Sequence, residues 1–326
     1  MNPNNSISVL IPVYRSEATL SALVKRLAGV LGAMQADYEL ILVNDGSPDR
    51  SWEIICGLAK DNPFIQGINL TRNYGQHNAL LCGIRAARKD IIVTMDADLQ
   101  NPPEEISRLL AKLDEGYDVV YGVPQKKQHG PARRLASWMV RTTLKSALNV
   151  ESAFQGSSFR AFRTQLRSAF ESFNGPAVSL DVLLTWGSTR ICSIPVRHEA
   201  NPEGRSSYSF LKLFSHCFDV MTGFSSMPLH IASLTGFLFT IFGLGVLVYV
   251  VGRYLILGYS VPGFPFLASI IAIFAGAQLF ALGIMGAYLA RIHFRIMNRP
   301  TYVVRETINE ESDKAGKSVV SGQKSE

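Results

Sequence analysis

The apolar positions of the chain follow two patterns, and the first one covers residues 1–200. There, short runs rich in β-branched residues alternate with segments of helical periodicity. The predicted strands are Ile7–Val13, Tyr38–Asn44, Ile91–Met95 and Val119–Val123, and the predicted helices are Leu20–Leu31, Trp52–Ala59, Asn78–Ala87 and Glu104–Leu113. This alternation predicts an α/β domain with a mostly parallel sheet covered on both faces.

The second pattern is continuous apolar sequence near the C-terminal end. Leu229–Val251 and Phe264–Ala290 contain no Asp, Glu, Lys or Arg, and no acidic residue occurs from Val220 to Arg305. At about 1.5 Å per residue, each run is long enough to cross a bilayer core of roughly 30 Å. We therefore predict two transmembrane helices, the alternative being two buried helices of a soluble domain.

Basic residues decide the orientation that we predict for this hairpin. Four arginines follow the second apolar run closely, whereas the loop 252–263 carries Arg253 alone. Because Lys and Arg stay on the cytoplasmic side, both chain ends are expected to face the cytosol. Just before the spans, Phe210–Phe224 has helical apolar spacing. It is predicted as an amphipathic helix at the membrane interface, or else as a docking helix of a soluble domain.

Composition narrows the class of protein. The hydrophobic fraction is 47% and the charged fraction 18%, which excludes a mostly disordered chain. The four cysteines form no CxxC pair, which argues against a disulfide scaffold or a cysteine zinc site. No basic segment opens the chain, so we expect no secretory signal and reduced cysteines. The predicted boundaries are a cytosolic domain over 1–205, the amphipathic helix over 206–227, the hairpin over 228–292 and a tail over 293–326, disordered at its end.

The net charge of +6 points to an anionic partner, which could be nucleic acid, a phosphate ligand or an anionic membrane. One segment, between Asp118 and Glu151, holds six basic and no acidic residues. Because the same chain carries predicted membrane spans, we favour a lipid phosphate over nucleic acid or a solvated face. Arg133 and Ser137 lie one helical turn apart and could share one phosphate.

Acidic residues follow several of the predicted strands. Asp45 follows the second strand, and Asp96 and Asp98 follow the run that ends at Met95. Ligands bind at the carboxyl ends of parallel strands. In an extended segment residues i and i+2 point the same way, so two carboxylates meet, and a hard divalent cation would relieve their repulsion. Alternatives are a simple turn at Asp45 and a helix N-cap at Asp96 or Asp98.

These segments resemble a known family. The motifs shared with family 2 glycosyltransferases of the Rossmann-like GT-A fold are Ile11–Tyr14, Val43–Ser47 and Asp96–Gln100. The motifs that resemble the polyprenyl-phosphate glycosyltransferases, a group that includes dolichyl-phosphate mannose synthase, are Arg72–His77, Asp98–Glu105 and Glu115–Asp118. The resemblance runs from about Ser6 to Tyr302 and is greatest to the bacterial subgroup that transfers formamido-arabinose to undecaprenyl phosphate.

The resemblance implies roles for individual residues on the donor side. Pro12, Tyr14, Glu17 and Asp45 would bind the nucleotide, although Glu17 stands one residue later than the family's glutamate. Asp96 would lie near the ribose and the diphosphate, and Arg72 would be either a diphosphate contact or a structural one. Asp98 and Gln100 would hold Mg²⁺ or Mn²⁺.

On the acceptor side, Arg205 lies in a segment that resembles the family's Gly-basic-Ser loop. It would bind the acceptor phosphate together with Arg133, Arg134 and Ser137. The residues expected to carry catalysis are thus Asp96, Asp98, Arg133 and Arg205.

The function that we expect is sugar transfer from a nucleotide sugar, UDP-linked, to undecaprenyl phosphate at the cytosolic face of the bacterial inner membrane. A lipid phosphate is largely a dianion at pH 7, so it needs no general base, and inversion by direct displacement is predicted. The product would supply cell-envelope glycan or lipopolysaccharide modification. Partners are the nucleotide sugar, the lipid and the membrane, without nucleic acid; a homo-oligomer is left open. The alternatives are a processive polysaccharide synthase and a non-catalytic sugar-nucleotide-binding membrane protein.

Overall fold

A computed structural model describes residues 6–124, 157–175, 178–199, 227–257, 263–297 and 299–309. The chain forms two compact units. The first consists of Asn2–Leu99 and resumes at Tyr302, and the second consists of Gln100–Thr301. The segment that follows the apolar helices therefore returns to the N-terminal unit.

The described residues of the first unit form an α/β layer of five strands and three helices. Its strands are β1 (Ser6–Val13), β2 (Asp37–Asn44), β3 (Ile65–Leu70), β4 (Ile91–Thr94) and, far along the chain, β8 (Val304–Ile308). They pair in the order β4-β1-β2-β3-β8, in which the first four are parallel and β8 is antiparallel to β3. The helices are α1 (Leu20–Ala33), α2 (Ser51–Asp61) and α3 (Gln76–Ala86).

Burial on both faces explains the sequence of the central strands. Leu40, Ile41, Leu42 and Val43 of β2 are all fully buried, as expected for a parallel strand covered by helices on both sides. α3 packs very closely on β1, as shown by Gly83: a Cβ at this position would be 2.0 Å from Leu10 Cδ1. The loops at the carboxyl ends of these strands are therefore held by a tightly packed core.

The described residues of the second unit that precede the apolar helices include three strands and two α-helices. They are α4 (Ile106–Asp114), β5 (Val119–Pro124), β6 (Arg160–Arg163), α5 (Leu180–Gly187) and β7 (Ile191–Val196). β5 is central, antiparallel to β6 and parallel to β7. Arg160 is only 2% exposed and forms an ion pair with Asp181. A buried charge needs such a partner, and the pair fixes β6 to α5.

Two long apolar helices complete the second unit, α6 (Met227–Leu257) and α7 (Phe264–Ile296). They pack on each other, with the rings of Phe239 and Phe274 5.6 Å apart. The most apolar 18-residue stretch within Leu229–Ile256 has a mean hydropathy of 2.3 and no buried residue, and the corresponding stretch within Ile273–Ile296 has a mean hydropathy of 1.7 with 6% of its residues buried. An apolar helix surface of this length that faces outward is unfavourable in water and suits the hydrocarbon core of a membrane. The two helices are candidate transmembrane spans, as predicted.

All four predicted strands and all four predicted helices are present, with shifted ends. The prediction did not include the strands β3, β6, β7 and β8 or the helix α5. The segment 293–326, predicted as a tail, begins with the end of α7 and then contributes β8. The predicted amphipathic helix Phe210–Phe224 lies outside the described residues.

Candidate active site

A cleft of about 290 Å³ opens at the carboxyl ends of β1, β2 and β4, within the first unit. Its lining residues are Pro12, Val13, Tyr14, Ser16, Asp45, Asn73, Gly75, Gln76, Asp96, Ala97 and Asp98. Five of them, Pro12, Tyr14, Asp45, Asp96 and Asp98, were predicted from the sequence. This is the edge of a parallel sheet where ligands bind.

Asp45 is the most enclosed acid of the cleft, with 3% of its surface exposed. The backbone N–H of Tyr74 donates to Oδ1 at 2.7 Å, and the N–H of Gly75 donates to Oδ2 at 2.9 Å. Burial raises the pKa of Asp45, and the two N–H donors oppose that rise. Each carboxylate oxygen keeps acceptor capacity for a ligand in the cleft.

Gly46 allows the two loops around Asp45 to touch. Its φ is +59°, and a Cβ at this position would lie 2.3 Å from the carbonyl carbon of Arg72 and 2.5 Å from the nitrogen of Asn73. Those atoms are backbone, so they cannot move aside as a side chain can. Glycine at this position therefore lets the loop 71–75 come close enough to bind Asp45.

Asp96 and Asp98 lie in a turn after β4, not in the extended segment that the i, i+2 argument assumed. The turn is fixed by Thr19, whose hydroxyl donates to the carbonyl oxygen of Ala97 at 2.6 Å. Gln76 donates from Nε2 to Asp96 Oδ1, also at 2.6 Å. The predicted extended geometry was wrong, yet both carboxylates line the same cleft.

Three of the predicted donor-side residues, Glu17, Arg72 and Gln100, are not among those lining the cleft. The Glu17 carboxylate accepts the N–H of Arg50 at 2.9 Å, where α2 begins, and so satisfies a donor at a helix N-terminus. The guanidinium of Arg72 lies over the ring of Tyr74 at 4.5 Å. Both alternatives for Arg72, a diphosphate contact and a structural one, stay predictions.

Gln100 is the first residue of the second unit, and its carbonyl oxygen accepts the N–H of Glu199 at 2.9 Å. Nearby, Glu105 is 2% exposed and forms ion pairs with Arg108 and Arg197. Burial raises the pKa of Glu105, but the hydrogen bonds from Arg197 and Arg108 outweigh burial and lower it. The loop 100–105 is thereby attached to the residues that follow β7.

Sequence reasoning gave no role to Ser16, Asn73, Gly75 or Gln76, which also line the cleft. Three of them belong to the Arg72–His77 motif, which follows β3, a strand that was not predicted. The acceptor-side residues Arg133, Arg134, Ser137 and Arg205 lie outside the described residues. Within the part of the chain that the structure describes, no three His, Cys, Asp or Glu side chains converge on one point.

Comparison with known proteins gives the family. The model of glycosyl transferase family 2 matches residues 8–170. The chain belongs to this family and is a glycosyltransferase. Its mostly parallel sheet is that of a GT-A-like α/β fold.

The similarity extends beyond the catalytic domain. The undecaprenyl-phosphate 4-deoxy-4-formamido-L-arabinose transferase of Shewanella sediminis (strain HAW-EB3) is 36% identical over 314 residues, which is 95% of either chain. The resemblance to family 2 polyprenyl-phosphate glycosyltransferases is therefore confirmed.

Solved structures show more distant similarity. Glucosyl-3-phosphoglycerate synthase from Mycobacterium tuberculosis, in complex with Mn²⁺ and uridine-diphosphate-glucose, is 20% identical with a TM-score of 0.48, covering 67% of this chain and 77% of that one. A mycobacterial protein is 20% identical with a TM-score of 0.49, covering 67% and 73%.

Proposed function

We propose that this protein transfers a sugar from a UDP-sugar to undecaprenyl phosphate and so makes a lipid-linked sugar. The observation that carries the proposal is the cleft at the strand ends, where the buried Asp45 lies with Asp96 and Asp98 beside exposed Tyr14. The full-length similarity to an undecaprenyl-phosphate sugar transferase supports the lipid acceptor.

The donor nucleotide would bind between Tyr14 and Asp45. Tyr14 is 43% exposed and offers a ring face to a base, while Asp45 offers carboxylate oxygens held at fixed positions by two backbone N–H groups. Asp96, held by Gln76, would lie beside the ribose and the diphosphate. We propose a UDP-linked donor on this arrangement together with the family resemblance.

The acid side chains of the cleft suit a hard divalent cation. Mg²⁺ and Mn²⁺ take oxygen ligands, and sites that handle nucleotides hold Mg²⁺ through one or two carboxylates with substrate phosphates and water. Asp98 would supply the protein's ligand inside the cleft; Gln100, predicted as the second ligand, follows two residues later and is not among the residues that line the cleft. When bound, the cation would neutralise charge on the departing diphosphate.

The acceptor would be its own nucleophile. One phosphate oxygen of the lipid forms a bond to the anomeric carbon while the bond from that carbon to the UDP oxygen breaks, so the configuration inverts and UDP leaves with the electron pair. No proton is abstracted, because the lipid phosphate is already ionised. Arg133, Arg134, Ser137 and Arg205 are proposed to hold that phosphate in line with the donor.

The chemistry is proposed to take place at the cytosolic face of the bacterial inner membrane, with both termini in the cytosol and the product feeding cell-envelope glycans such as lipopolysaccharide. The two apolar helices and the arginines after Ala290 support this orientation. In a cysteine-free background of intact cells, Ser260→Cys would react with an impermeant maleimide, and exposed Lys60→Cys would not.

The experiment for the function uses purified full-length protein in nanodiscs. It is incubated with undecaprenyl phosphate, Mg²⁺ or Mn²⁺ and a panel of nucleotide sugars, and the lipid product is identified by mass spectrometry. We expect one UDP-sugar to give lipid phosphate plus one sugar residue, and Asp98→Asn to give none. Absence of a lipid-linked product with every donor, or the same product from Asp98→Asn, would overturn the proposal.

A further inference from the structure

The strand that follows the second apolar helix contacts, through a β-bulge, the start of the loop that leads to the donor side of the cleft. β8 pairs with β3 so that Glu306 lies opposite Asn69 and Val304 lies opposite Leu70, which leaves Arg305 as the extra residue. A bulge of this kind redirects a side chain. Here the guanidinium of Arg305 donates to the carbonyl oxygen of Thr71 at 3.1 Å.

Thr71 is the first residue of the loop that carries the Asp45 contacts. Its N–H donates to the carbonyl oxygen of Val303, the residue before β8, at 3.0 Å, so β8 and the residue that precedes it bind both backbone groups of Thr71. The Thr71 hydroxyl lies 2.9 Å from the Tyr74 hydroxyl, and the Tyr74 N–H donates to Asp45. Three consecutive contacts thus lead from β8 to the carboxylate of the cleft.

A second series of hydrogen bonds runs through the core to Asn44, the residue before Asp45. The Glu306 carboxylate accepts a hydrogen bond from Asn69 Nδ2 at 2.9 Å, and Asn69 Oδ1 accepts one from Asn44 Nδ2 at 2.8 Å. Asn44 and Asn69 are 2% and 5% exposed, and Asn44 directly precedes Asp45. Buried amides joined in this way fix each other's orientation, because an unmet donor in the core is costly.

We infer that β8 is a positioning element of the donor cleft, and that Arg305 and Glu306 are positioning residues that hold Asp45 for the nucleotide. The inference rests on the proposed function for its ligand, UDP, but its structural part concerns Asp45 and the loop 71–75 alone. Because α7 ends at Ile296 and β8 begins at Val304, the chain passes directly from the second candidate span to the residues that order the nucleotide site.

The test uses full-length protein in nanodiscs and the variants Arg305→Ala, Glu306→Ala and Glu306→Gln. Free UDP, titrated by calorimetry, is the probe of the cleft, and amide hydrogen exchange of the segment 71–76 is the probe of the loop. Val304→Thr is the matched control, since Val304 belongs to the same strand, keeps a β-branched side chain on substitution and is 39% exposed. Each alanine variant loses one hydrogen bond to a charged group, so we expect UDP to bind about tenfold more weakly.

We also expect faster exchange at Tyr74 and Gly75 in both alanine variants. Glu306→Gln keeps an oxygen acceptor for Asn69 and should restore both readouts, and Val304→Thr should match the wild type. Wild-type UDP affinity and wild-type exchange in both alanine variants would overturn the inference, as would a lower unfolding temperature with unchanged UDP affinity. If the wild-type protein binds no UDP while the variants still exchange faster at 71–76, the donor assignment fails and the positioning link stands.

Discussion

Replacing Gly46 with alanine should separate the two loops that form the Asp45 site. The added Cβ would lie 2.3 Å from the carbonyl carbon of Arg72 and 2.5 Å from the nitrogen of Asn73, well inside contact distance. Relief requires the loop 71–75 to move away by about 1 Å, since ordinary carbon contacts lie near 3.5 Å. That movement stretches the bonds from Tyr74 and Gly75 to Asp45, which are 2.7 and 2.9 Å long.

The size of the effect follows from two costs. Alanine at a φ of +59° is less stable than glycine by about 1–2 kcal/mol. Loss of one hydrogen bond to the Asp45 carboxylate costs about 1.5–3 kcal/mol. We therefore expect the free energy of unfolding to fall by about 2.5–5 kcal/mol. A displacement of about 1 Å at the site should also lower kcat/KM roughly a hundredfold.

The assay compares Gly46→Ala with Gly57→Ala in full-length protein. Gly57 lies in α2, and a Cβ there would meet nothing within 4 Å, so alanine should raise stability by about 0.5–1 kcal/mol. Thermal unfolding and UDP titration are measured for both variants. If Gly46→Ala unfolds at the wild-type temperature and binds UDP with wild-type affinity, the close contact between the loops does not hold Asp45 and the reasoning is refuted.

Three further outcomes are expected. Asp98→Asn should abolish sugar transfer and weaken Mn²⁺ binding, measured by electron paramagnetic resonance, while the unfolding temperature stays unchanged. Full turnover of the wild-type protein in excess EDTA would contradict the metal role. Glu105→Gln should lower the free energy of unfolding by about 1–3 kcal/mol at pH 7. Because the folded-state pKa of Glu105 is lowered, the stability that its ion pairs contribute is present above the carboxyl's usual pKa and is lost as pH falls through the folded-state pKa. If Glu105→Gln lowered the free energy of unfolding equally at pH 3 and at pH 7, the ion pairs would be contradicted. Burial raises the pKa of Asp45, so UDP affinity should decline as pH falls toward that pKa, and Asp45→Asn should make affinity less dependent on pH. If UDP titrations gave both proteins the same dependence of affinity on pH, Asp45 would not belong to the nucleotide site.

The central strands could be predicted because a strand buried on both faces consists of consecutive apolar residues, a pattern that the local sequence shows directly. Runs such as Leu40–Val43 are apolar throughout, as parallel strands covered on both faces must be. β8 has the sequence VRETI, which resembles an exposed tail, and it is a strand because β3 provides a partner. Pairing between segments so far apart in the chain leaves no local pattern.

The residues of the candidate site could be predicted where the strand that precedes them could be predicted. Asp45, Asp96 and Asp98 could be found because they follow strands that the apolar pattern reveals. Gln76 was assigned no role because it follows β3, whose polar Gln66 and Asn69 interrupt the apolar run. The reason for glycine at position 46 is a contact with a loop from elsewhere in the chain, so it becomes visible only in the folded structure.

The nucleotide released during the reaction tests the central claim most directly. Direct displacement at the anomeric carbon leaves both phosphates on the departing nucleotide, whereas transfer of a sugar phosphate would leave one. Full-length protein is incubated with undecaprenyl phosphate and its UDP-sugar, and the nucleotide product is separated by chromatography. We predict release of UDP in amounts equal to the lipid-linked sugar formed, and none without the lipid. Release of UMP, or UDP release that does not depend on undecaprenyl phosphate, would contradict the account.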